Sequence, residues 1–265
     1  MSYEGVALTV AGSDSSGGAG IQADLKTFAA FNVYGASVIT SITAQNTMGV
    51  YAVFDIPPDI VGKQFDAVAE DLDIGALKIG MLSSSEIMEV VAEKIKKYGI
   101  EKVVLDPVMV AKTGAPLIKD DAIETLRRIM VPLAYVITPN IPEAKILTGM
   151  EIRNPIDMKE AAKRIYDMGA KNVLLKGGHL EGYSKIIDIL FDGKSSYVFQ
   201  ADRVETKNTH GTGCTLSSAI AAGLAKGKDI FKAVADAERY INLAIKEAPK
   251  NIGHGYGPLY HNVRI

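Results

Sequence analysis

The sequence predicts one three-layer α/β/α domain, in which a mostly parallel central sheet is covered by helices on both faces. Short apolar runs that end in polar or glycine-rich clusters alternate with segments of helical periodicity along most of the chain. Such alternation is typical of βαβ units, whose helices cover a parallel sheet. With 265 residues and 48% hydrophobic content, the chain is long enough for one large core. We therefore expect a single domain spanning residues 1–265, although two domains would also fit this length.

The predicted strands follow from composition and length. Residues 36–44 are β-branched and almost continuously apolar, as expected of a strand covered on both faces. The other predicted strands are short apolar runs at 6–11, 76–79, 103–105, 135–137 and 173–175. Later in the chain, two apolar runs follow each other without a helix between them. The runs 187–191 and 197–200 flank the turn-forming Asp192-Gly193-Lys194. This pair predicts an antiparallel hairpin at the edge of the sheet.

The predicted helices show apolar residues three and four positions apart. They cover approximately 25–31, 60–72, 85–98, 122–129, 158–168, 215–225 and 230–247. Pro57-Pro58 suits the start of the second of these helices, because proline is favoured in the first helical turn. The tail from Asn251 contains three glycines and Pro258, which predicts an irregular surface segment.

Polar clusters follow the predicted strands at their carboxyl ends. They are Gly12 to Gly20, Gln45-Asn46-Thr47, Gly80-Met81, Asp106-Pro107-Val108-Met109, Thr138 to Glu143, and Lys176-Gly177-Gly178-His179. In open α/β sheets, ligands bind in the crevice beyond the carboxyl ends of the strands. We therefore expect these clusters to converge on one crevice although they are far apart in sequence.

The stretch from Asn208 to Ser218 predicts an anion hole. Gly211 and Gly213 are followed at once by an apolar helical pattern, so a tight turn leads directly into a helix. The start of a helix has unpaired N–H groups and the positive end of the dipole, and glycines let a phosphate approach the backbone. Cys214 is the only cysteine, and a helix start would lower its pKa and favour the thiolate. The alternative is a glycine-rich turn with a small buried cysteine.

Composition narrows the classes of partner. The formal net charge of −2 provides no basic field for nucleic acid or anionic lipid, so a small molecule is the expected partner. No apolar stretch reaches the length of a membrane helix, and no basic segment precedes an apolar run at the N-terminus. A single cysteine is incompatible with an internal disulfide or a CxxC motif and suits a reducing compartment. We therefore expect a cytoplasmic protein.

Two familiar nucleotide motifs do not fit. Gly12 and Gly17 have the spacing of a P-loop, but Gly18 stands where the phosphate-binding lysine is needed. The Gly18-Ala19-Gly20 segment fits a loose dinucleotide motif, yet no acidic residue follows about twenty positions later to bind a ribose hydroxyl. What remains is a glycine-rich turn that a ligand can approach closely.

Five motifs in one order resemble a known family. They are Ala11 to Gly20 with Asp24, Asp106-Pro107-Val108-Met109, Thr138-Pro139-Asn140 with Glu143, Lys176-Gly177-Gly178-His179, and Thr209 to Cys214. Together they resemble the hydroxymethylpyrimidine/phosphomethylpyrimidine kinases, the thiamine-biosynthesis branch of the ribokinase superfamily, from about Val6 to Pro258. The resemblance implies a ribokinase-like fold. It also implies transfer of the ATP γ-phosphate to a hydroxymethylpyrimidine, and above all to its monophosphate.

The resemblance also implies roles for individual residues. Gly211, Thr212, Gly213 and Cys214 would form the catalytic anion hole, with Cys214 as the base where the wider superfamily usually has aspartate. A thiol that only shapes the pocket is the alternative for Cys214. Lys176, Asn140 and Asp188 would contact ATP. Glu143 and Asp106 would hold Mg²⁺, Glu143 through water.

The pyrimidine would be bound by Gln45, whose amide offers donors and an acceptor to an aminopyrimidine edge. The corresponding position in the similar pyridoxal kinases is typically not glutamine, so Gln45 favours the pyrimidine. The other ring-lining positions implied by the resemblance are Gly12, Ala19, Asp24, Met81 and Val108. His210 is expected to be structural. Segments 114–116 and 202–207 are candidates to cover the site.

Two other functions stay open at this point. A pyridoxal or pyridoxine kinase of the same branch is compatible with Cys214, because a thiol adds reversibly to an aldehyde. A catalytically silent nucleotide-binding regulator is the alternative outside the enzymes. Members of the family often form dimers, so a homodimer is one expectation, although no sequence feature identifies its surface.

Overall fold

A computed structural model describes residues 2–110, 117–119, 122–180 and 182–264. Its strands are β1 (Val6–Asp14), β2 (Tyr34–Asn46), β3 (Gly49–Asp55), β4 (Ala76–Ile79), β5 (Val103–Leu105), β6 (Val136–Ile137), β7 (Val173–Leu175), β8 (Lys185–Phe191) and β9 (Ser196–Asp202). Its helices are α1 (Gly20–Ala30), α2 (Pro58–Ala69), α3 (Ser85–Lys97), α4 (Ala122–Thr125), α5 (Ile141–Thr148), α6 (Pro155–Asp167), α7 (Thr212–Ala225) and α8 (Ile230–Lys246). A π-helical turn, Leu126–Met130, and a 3-10 turn, Val131–Leu133, continue α4.

The strands form one sheet in the order β3-β2-β1-β4-β5-β6-β7-β8-β9. All neighbours from β2 to β7 pair in parallel, whereas β3, β8 and β9 join antiparallel. The predicted hairpin is therefore confirmed as β8 and β9. Strand β3 was not predicted and extends the other edge.

Helices cover both faces of this sheet. Successive residues of a strand point to opposite faces, so Leu77 packs in the core beneath α2 to α6, and Ala76 in the core beneath α1, α7 and α8. The central strands β4 to β7 are buried along their whole length. This arrangement confirms the three-layer prediction. No helix in the described parts of the chain is long and apolar enough to cross a membrane.

Helix α5 is a second element that the sequence analysis missed. Its N-cap is Asn140, whose side chain accepts a hydrogen bond from the Glu143 amide, while the Glu143 carboxylate accepts one from the Asn140 amide. Gly149 ends the helix in the left-handed conformation, with φ of 68°. These are standard start and stop signals for a helix, and they fix Glu143 at the end of β6.

Candidate active site

A cavity of about 760 Å³ opens at the carboxyl ends of the parallel strands. Its lining comes from every polar cluster named above and includes Gly12, Ala19, Gln45, Met81, Asp106, Val108, Asn140, Glu143, Lys176, Asp188, Gly211, Thr212, Gly213 and Cys214. Residues from six strand ends and from the start of α7 therefore share one crevice. The expected convergence of the polar clusters is confirmed, and of the site residues that the resemblance implies, Asp24 alone is absent from the lining.

The anion hole is built where α7 begins. Gly211 is its N-cap and has φ of 80°, a left-handed conformation that glycine adopts without strain. A Cβ on Gly211 would collide with the carbonyl oxygen of Gly18, so the turn and the glycine-rich loop interlock. The amides of Gly213 and Cys214 lie in the first helical turn, where N–H groups have no partner within the helix. They are thus available to an anion in the cavity.

Asp14 and His210 organise the loop opposite α7, and the sequence analysis assigned neither of them a role in the site. Asp14 accepts hydrogen bonds from the amides of Ser16, Gly18 and Ala19 at 2.8 to 3.0 Å. His210 Nε2 lies 2.8 Å from Asp14 Oδ2. Burial opposes ionisation of Asp14, yet the hydrogen bonds from His210 and Ser16 outweigh it and lower its pKa to about 2. Because Asp14 is ionised, His210 donates its Nε2–H to it.

Gln45 lies beside this pair. Its amide nitrogen is 3.2 Å from His210 Nε2, and Thr43 donates its hydroxyl to the Gln45 carbonyl at 3.3 Å. Because His210 donates its Nε2–H to Asp14, it cannot also accept from this amide nitrogen, so His210 contacts Gln45, the residue expected to recognise the pyrimidine, without a hydrogen bond. The C-terminal tail fixes the same two segments, since the Tyr256 amide donates to Thr47 and the His210 amide donates to Gly257.

Asp24 does not line the cavity, which corrects its expected place beside the ring. Its carboxylate is fully buried and accepts hydrogen bonds from Thr9, Ser218 and Lys78 at 2.6 to 2.9 Å. Lys78, on β4, is also fully buried. The expectation was wrong because the α1 register directs this carboxylate inward, between β1, β4 and α7, instead of toward the crevice.

Lys176 and Asp106 form the charged end of the cavity. Lys176 Nζ lies 2.9 Å from Asp106 Oδ1, and the Thr138 hydroxyl donates to the same oxygen at 3.1 Å. A Cβ built on Gly213 would lie 3.2 Å from Asp106 Oδ2 and 3.4 Å from Lys176 Nζ. The ammonium group therefore borders the anion hole, where phosphate oxygens would collect.

Glu143 is the second carboxylate at this end. Burial raises its pKa to about 7, while the Lys176 ammonium opposes the rise and the Asp106 carboxylate adds to it. The described residues contain no cluster of three or more side chains that could hold a metal alone. Two carboxylates nevertheless fit Mg²⁺, which keeps several waters and uses one or two carboxylates together with substrate phosphates.

Asp188 lines the cavity near the loop after β7, as expected of a residue beside the nucleotide. It accepts a hydrogen bond from the Gly177 amide at 2.6 Å and is hydrogen-bonded to the Glu238 carboxyl. Burial and the neighbouring Asp188 carboxylate raise the pKa of Glu238 well above its usual value. Two carboxyl groups in contact need a shared proton, and Glu238 carries it.

Replacing Glu238 by Gln tests this protonation, because an amide imitates the neutral acid. The unfolded chain releases the Glu238 proton above about pH 4.5, but the folded protein retains it, so rising pH favours unfolding. We expect Glu238→Gln to gain stability over the wild type from pH 5 to pH 8, by roughly 8 °C in Tm, because one retained proton is worth about 1.4 kcal/mol per pH unit. Thermal unfolding at pH 5 and at pH 8 measures this difference in Tm. Glu160→Gln, at an exposed position of α6, is the control. A difference in Tm between variant and wild type that is the same at pH 5 and pH 8 would contradict a retained proton on Glu238.

Cys214 differs from the expectation of a thiolate. The thiol is partly buried, and Gly20 at the start of α1 donates its amide to it. Burial raises the pKa of Cys214 to about 11, although the Lys78 ammonium and the Gly20 amide act against the rise. At neutral pH the free protein therefore holds a thiol, because desolvation outweighs the helix start.

The segment 202–207 borders the crevice, since Arg203, Val204, Glu205 and Thr206 line it. The Arg203 guanidinium donates to the carbonyls of Gly178 and Leu180 at 3.0 and 3.1 Å, which ties this segment to the loop after β7. The other predicted covering segment, 114–116, lies outside the described residues.

Comparison with known sequences identifies close relatives. The family profile described as phosphomethylpyrimidine kinase matches residues 14–260. A hydroxymethylpyrimidine/phosphomethylpyrimidine kinase of Rhizobium meliloti is 52% identical, over 97% of this chain and 96% of its own length. The enzyme of the same name from Bacillus subtilis is 48% identical, with 96% and 94% covered. A bifunctional thiamine-biosynthesis protein of Geobacter sulfurreducens is 52% identical, and the chain spans about half of its length.

Solved structures agree with this result. A Bacillus subtilis pyridoxal kinase in complex with ADP superposes with a TM-score of 0.90 and 42% identity, over 97% of both chains. A Clostridium difficile phosphomethylpyrimidine kinase gives 0.82 and 51% identity, over 91% of this chain and 99% of that one. The chain therefore belongs to the phosphomethylpyrimidine kinase family, a family of phosphotransferases, and has the ribokinase-like fold that its five motifs predict.

Proposed function

We propose that the protein transfers the γ-phosphate of ATP to 4-amino-5-hydroxymethyl-2-methylpyrimidine and to its monophosphate, giving the pyrophosphate used for thiamine. The observation that carries this proposal is one cavity that is lined both by Gln45 and by the Gly211 to Cys214 turn, with His210 in contact with Gln45. An amide that can pair with an aminopyrimidine edge thus lies near a helix start that can bind a phosphate. Relatives named hydroxymethylpyrimidine/phosphomethylpyrimidine kinase, at about 50% identity, support the choice of substrate.

Phosphoryl transfer mainly requires positioning and positive potential around the transferred group. In the first transfer the hydroxymethyl oxygen bonds to the γ-phosphorus as the bond to the bridging oxygen of ADP breaks, and in the second transfer an oxygen of the monophosphate does so. In the proposed mechanism, the amides of Gly213 and Cys214 and the Lys176 ammonium stabilise the equatorial oxygens. Mg²⁺, held by Asp106 and through water by Glu143, would neutralise phosphate charge when bound. Asn140 would position ATP through the part of its amide not used as the helix cap.

Cys214 is the proposed acceptor of the hydroxymethyl proton in the first transfer, which is the transfer that releases such a proton. With a pKa of about 11 in the free protein, the thiol has to lose its own proton before it can act as a base. A loose transition state places little demand on a base, because the hydroxyl becomes acidic only as its bond to phosphorus forms. Shaping the pocket around the hydroxymethyl group is the second role that this position supports.

Pyridoxal phosphorylation is the second candidate function. The high similarity to the Bacillus subtilis pyridoxal kinase favours it, as does a 35% identical Staphylococcus aureus pyridoxal kinase solved with pyridoxal, at a TM-score of 0.89. A thiol at position 214 is compatible with an aldehyde substrate. Gln45 is the residue that favours the pyrimidine.

The deciding experiment is Mg²⁺-dependent ADP release with hydroxymethylpyrimidine, its monophosphate, pyridoxal and ribose offered separately at equal concentration. We expect the monophosphate to be the best acceptor and the free alcohol the next. Faster turnover of pyridoxal would assign the protein to vitamin B6 salvage and overturn the choice of substrate. If the protein bound ATP but released no ADP with any of the four acceptors, a silent regulator would be favoured.

Replacing Gln45 by Met should weaken recognition of the pyrimidine while leaving ATP binding intact. Loss of hydrogen bonds to a buried ring edge costs about 10- to 100-fold in kcat/KM. We therefore expect kcat/KM for the monophosphate to fall by that factor, with KM for ATP changed less than threefold. Ser15→Ala is the control, since its hydroxyl contacts only the Gln45 backbone. Unchanged relative rates for pyrimidine and pyridoxal would contradict the role of Gln45.

We also propose a homodimer in the cytoplasm, where ATP is available and a single free cysteine remains reduced. The β2–β3 edge exposes several large apolar side chains, which a second copy would cover: Ile42, Met48, Tyr51, Val53 and Phe54. Edge strands with exposed apolar residues favour pairing or association. Sedimentation of the wild type against Phe54→Lys tests this surface, and a monomeric wild type would overturn it.

A further inference from the structure

Lys78 is an unusual residue for the centre of a sheet. Its side chain is fully buried on β4, and Nζ lies 2.9 and 2.8 Å from the two oxygens of Asp24. Burying an ion pair usually costs about as much free energy as the mutual attraction returns, so stability alone does not explain this pair. Neither residue lines the cavity.

The geometry places the pair directly behind the anion hole. A Cβ on Gly80 would lie 2.8 Å from Lys78 Nζ, so the ammonium group reaches the level of the strand end, next to cavity-lining Met81. Glycine at position 80 provides the space for it. The cation is thus buried immediately beneath the crevice.

Two helices connect the pair to the thiol. The Gly20 amide at the start of α1 donates to Cys214 at the start of α7. One turn deeper, Ser218 donates its hydroxyl to Asp24 at 2.7 Å. Residues four apart lie on the same face of a helix, so both contacts belong to one α1–α7 seam. Thr9 from β1 completes the shell around the carboxylate at 2.6 Å.

We propose that Lys78 is a positioning residue for phosphoryl transfer, which supplies positive potential behind Cys214 and the anion hole while Asp24 anchors it to α7. The inference rests on the proposed function only for the identity of the transferred group. Lys78 does not touch the substrate. It acts on charge that develops at the hydroxymethyl oxygen and at the thiol.

The charges facing Cys214 come from four elements. Lys78 on β4 favours the thiolate, whereas Asp24 on α1 and Asp106 after β5 oppose it. Lys176 after β7 also interacts favourably with a thiolate. Removing Lys78 alone leaves the Asp24 carboxylate unbalanced, and removing both charges restores the balance. The single and double variants should therefore differ in thiol reactivity.

The test measures alkylation of Cys214 by iodoacetamide, which reports on one site because the chain has a single cysteine. At pH 8.5 we expect Lys78→Met to react about tenfold more slowly than the wild type, as one pKa unit would require. The alkylation rate of the double variant Asp24→Asn/Lys78→Met should lie within about threefold of the wild-type rate. Lys94→Met is the matched control, because it breaks a 2.6 Å ion pair with Asp66 between α2 and α3, away from the cavity.

Turnover provides a second readout. We expect Lys78→Met to lower kcat about tenfold and to leave KM for the pyrimidine within about threefold, as loss of an interaction made in the transition state requires. A rise in KM at constant kcat would overturn the proposal, as would alkylation at the wild-type rate. A double variant as slow as the single one would assign the pair a purely structural role. Lys78→Gln, which retains a hydrogen bond to Asp24, replaces Lys78→Met if the latter does not fold.

Discussion

Lys176→Met is expected to lower kcat by about three orders of magnitude, because it removes the cation nearest the anion hole. Lys176 Nζ is placed by the Asp106 carboxylate at 2.9 Å, and its backbone amide donates to Pro139 at 2.8 Å. Several anionic groups hold the pKa of Lys176 above its usual value despite burial, so the side chain stays charged. Steady-state ADP release with the pyrimidine monophosphate as acceptor measures the loss.

Stability has to be separated from catalysis in this variant. Asp106 loses its ion pair in Lys176→Met but keeps the Thr138 hydroxyl, so we expect a lower Tm and a folded protein. Lys145→Met is the control, because its 2.9 Å ion pair with Glu151 lies on the exposed surface and contributes little. A decrease in kcat of less than tenfold would show that Lys176 does not stabilise the transferred phosphoryl group.

The fold was largely predictable because strand and helix periods alternate along the chain. The two missed elements depend on information that a local pattern does not carry. Strand β3 is mostly exposed and shows no inward-outward alternation, so only its antiparallel pairing with β2 defines it. Helix α5 has eight residues, and its capping box at Asn140 and Glu143 was a usable signal that the assignment to a polar cluster obscured.

The site was predictable where a residue lies at the carboxyl end of a strand or directly after it. Gln45 is the penultimate residue of β2, Asp106 and Lys176 directly follow β5 and β7, and all three line the cavity. The networks behind the cavity were not predictable, because they join residues far apart in sequence. Asp14 meets His210 across 196 positions, and no spacing in the sequence reports that contact.

Protonation states were the least predictable property. The sequence places Cys214 at a helix start, which favours a thiolate, yet burial in the assembled site raises its pKa to about 11. The contact between Asp188 and Glu238 likewise arises only when α8 packs against the hairpin of β8 and β9, and it leaves a proton on one of two acids that are far apart in sequence. Desolvation depends on the tertiary structure, so no motif specifies it.

Gly213→Ala is expected to abolish most activity while the protein stays folded. Gly213 lies in the first turn of α7 without a positive φ, so alanine fits this backbone and we expect the free energy of unfolding to change by less than about 1 kcal/mol. Its methyl group would lie 3.2 Å from Asp106 Oδ2 and 3.4 Å from Lys176 Nζ, in the space that phosphate oxygens require. We expect kcat to fall by about 100- to 1000-fold, as much as the loss of one donor to a developing oxyanion, because the methyl group keeps the phosphate away from the amides. Thermal unfolding and ADP release measure the two effects separately.

Gly62→Ala provides the matched control for this substitution. Gly62 is a helical glycine in α2, and its Cβ would lie 3.3 Å from Val90 and 3.4 Å from Lys94, on the face of the sheet opposite α7. The two variants therefore add the same methyl group at nearly equal contact distances, and only one of them adds it to the anion hole. Gly62→Ala should turn over at the wild-type rate. If Gly213→Ala did so as well, the phosphate would have to bind elsewhere in the cavity, because the methyl group and a phosphate oxygen cannot share the space between Asp106 and Lys176.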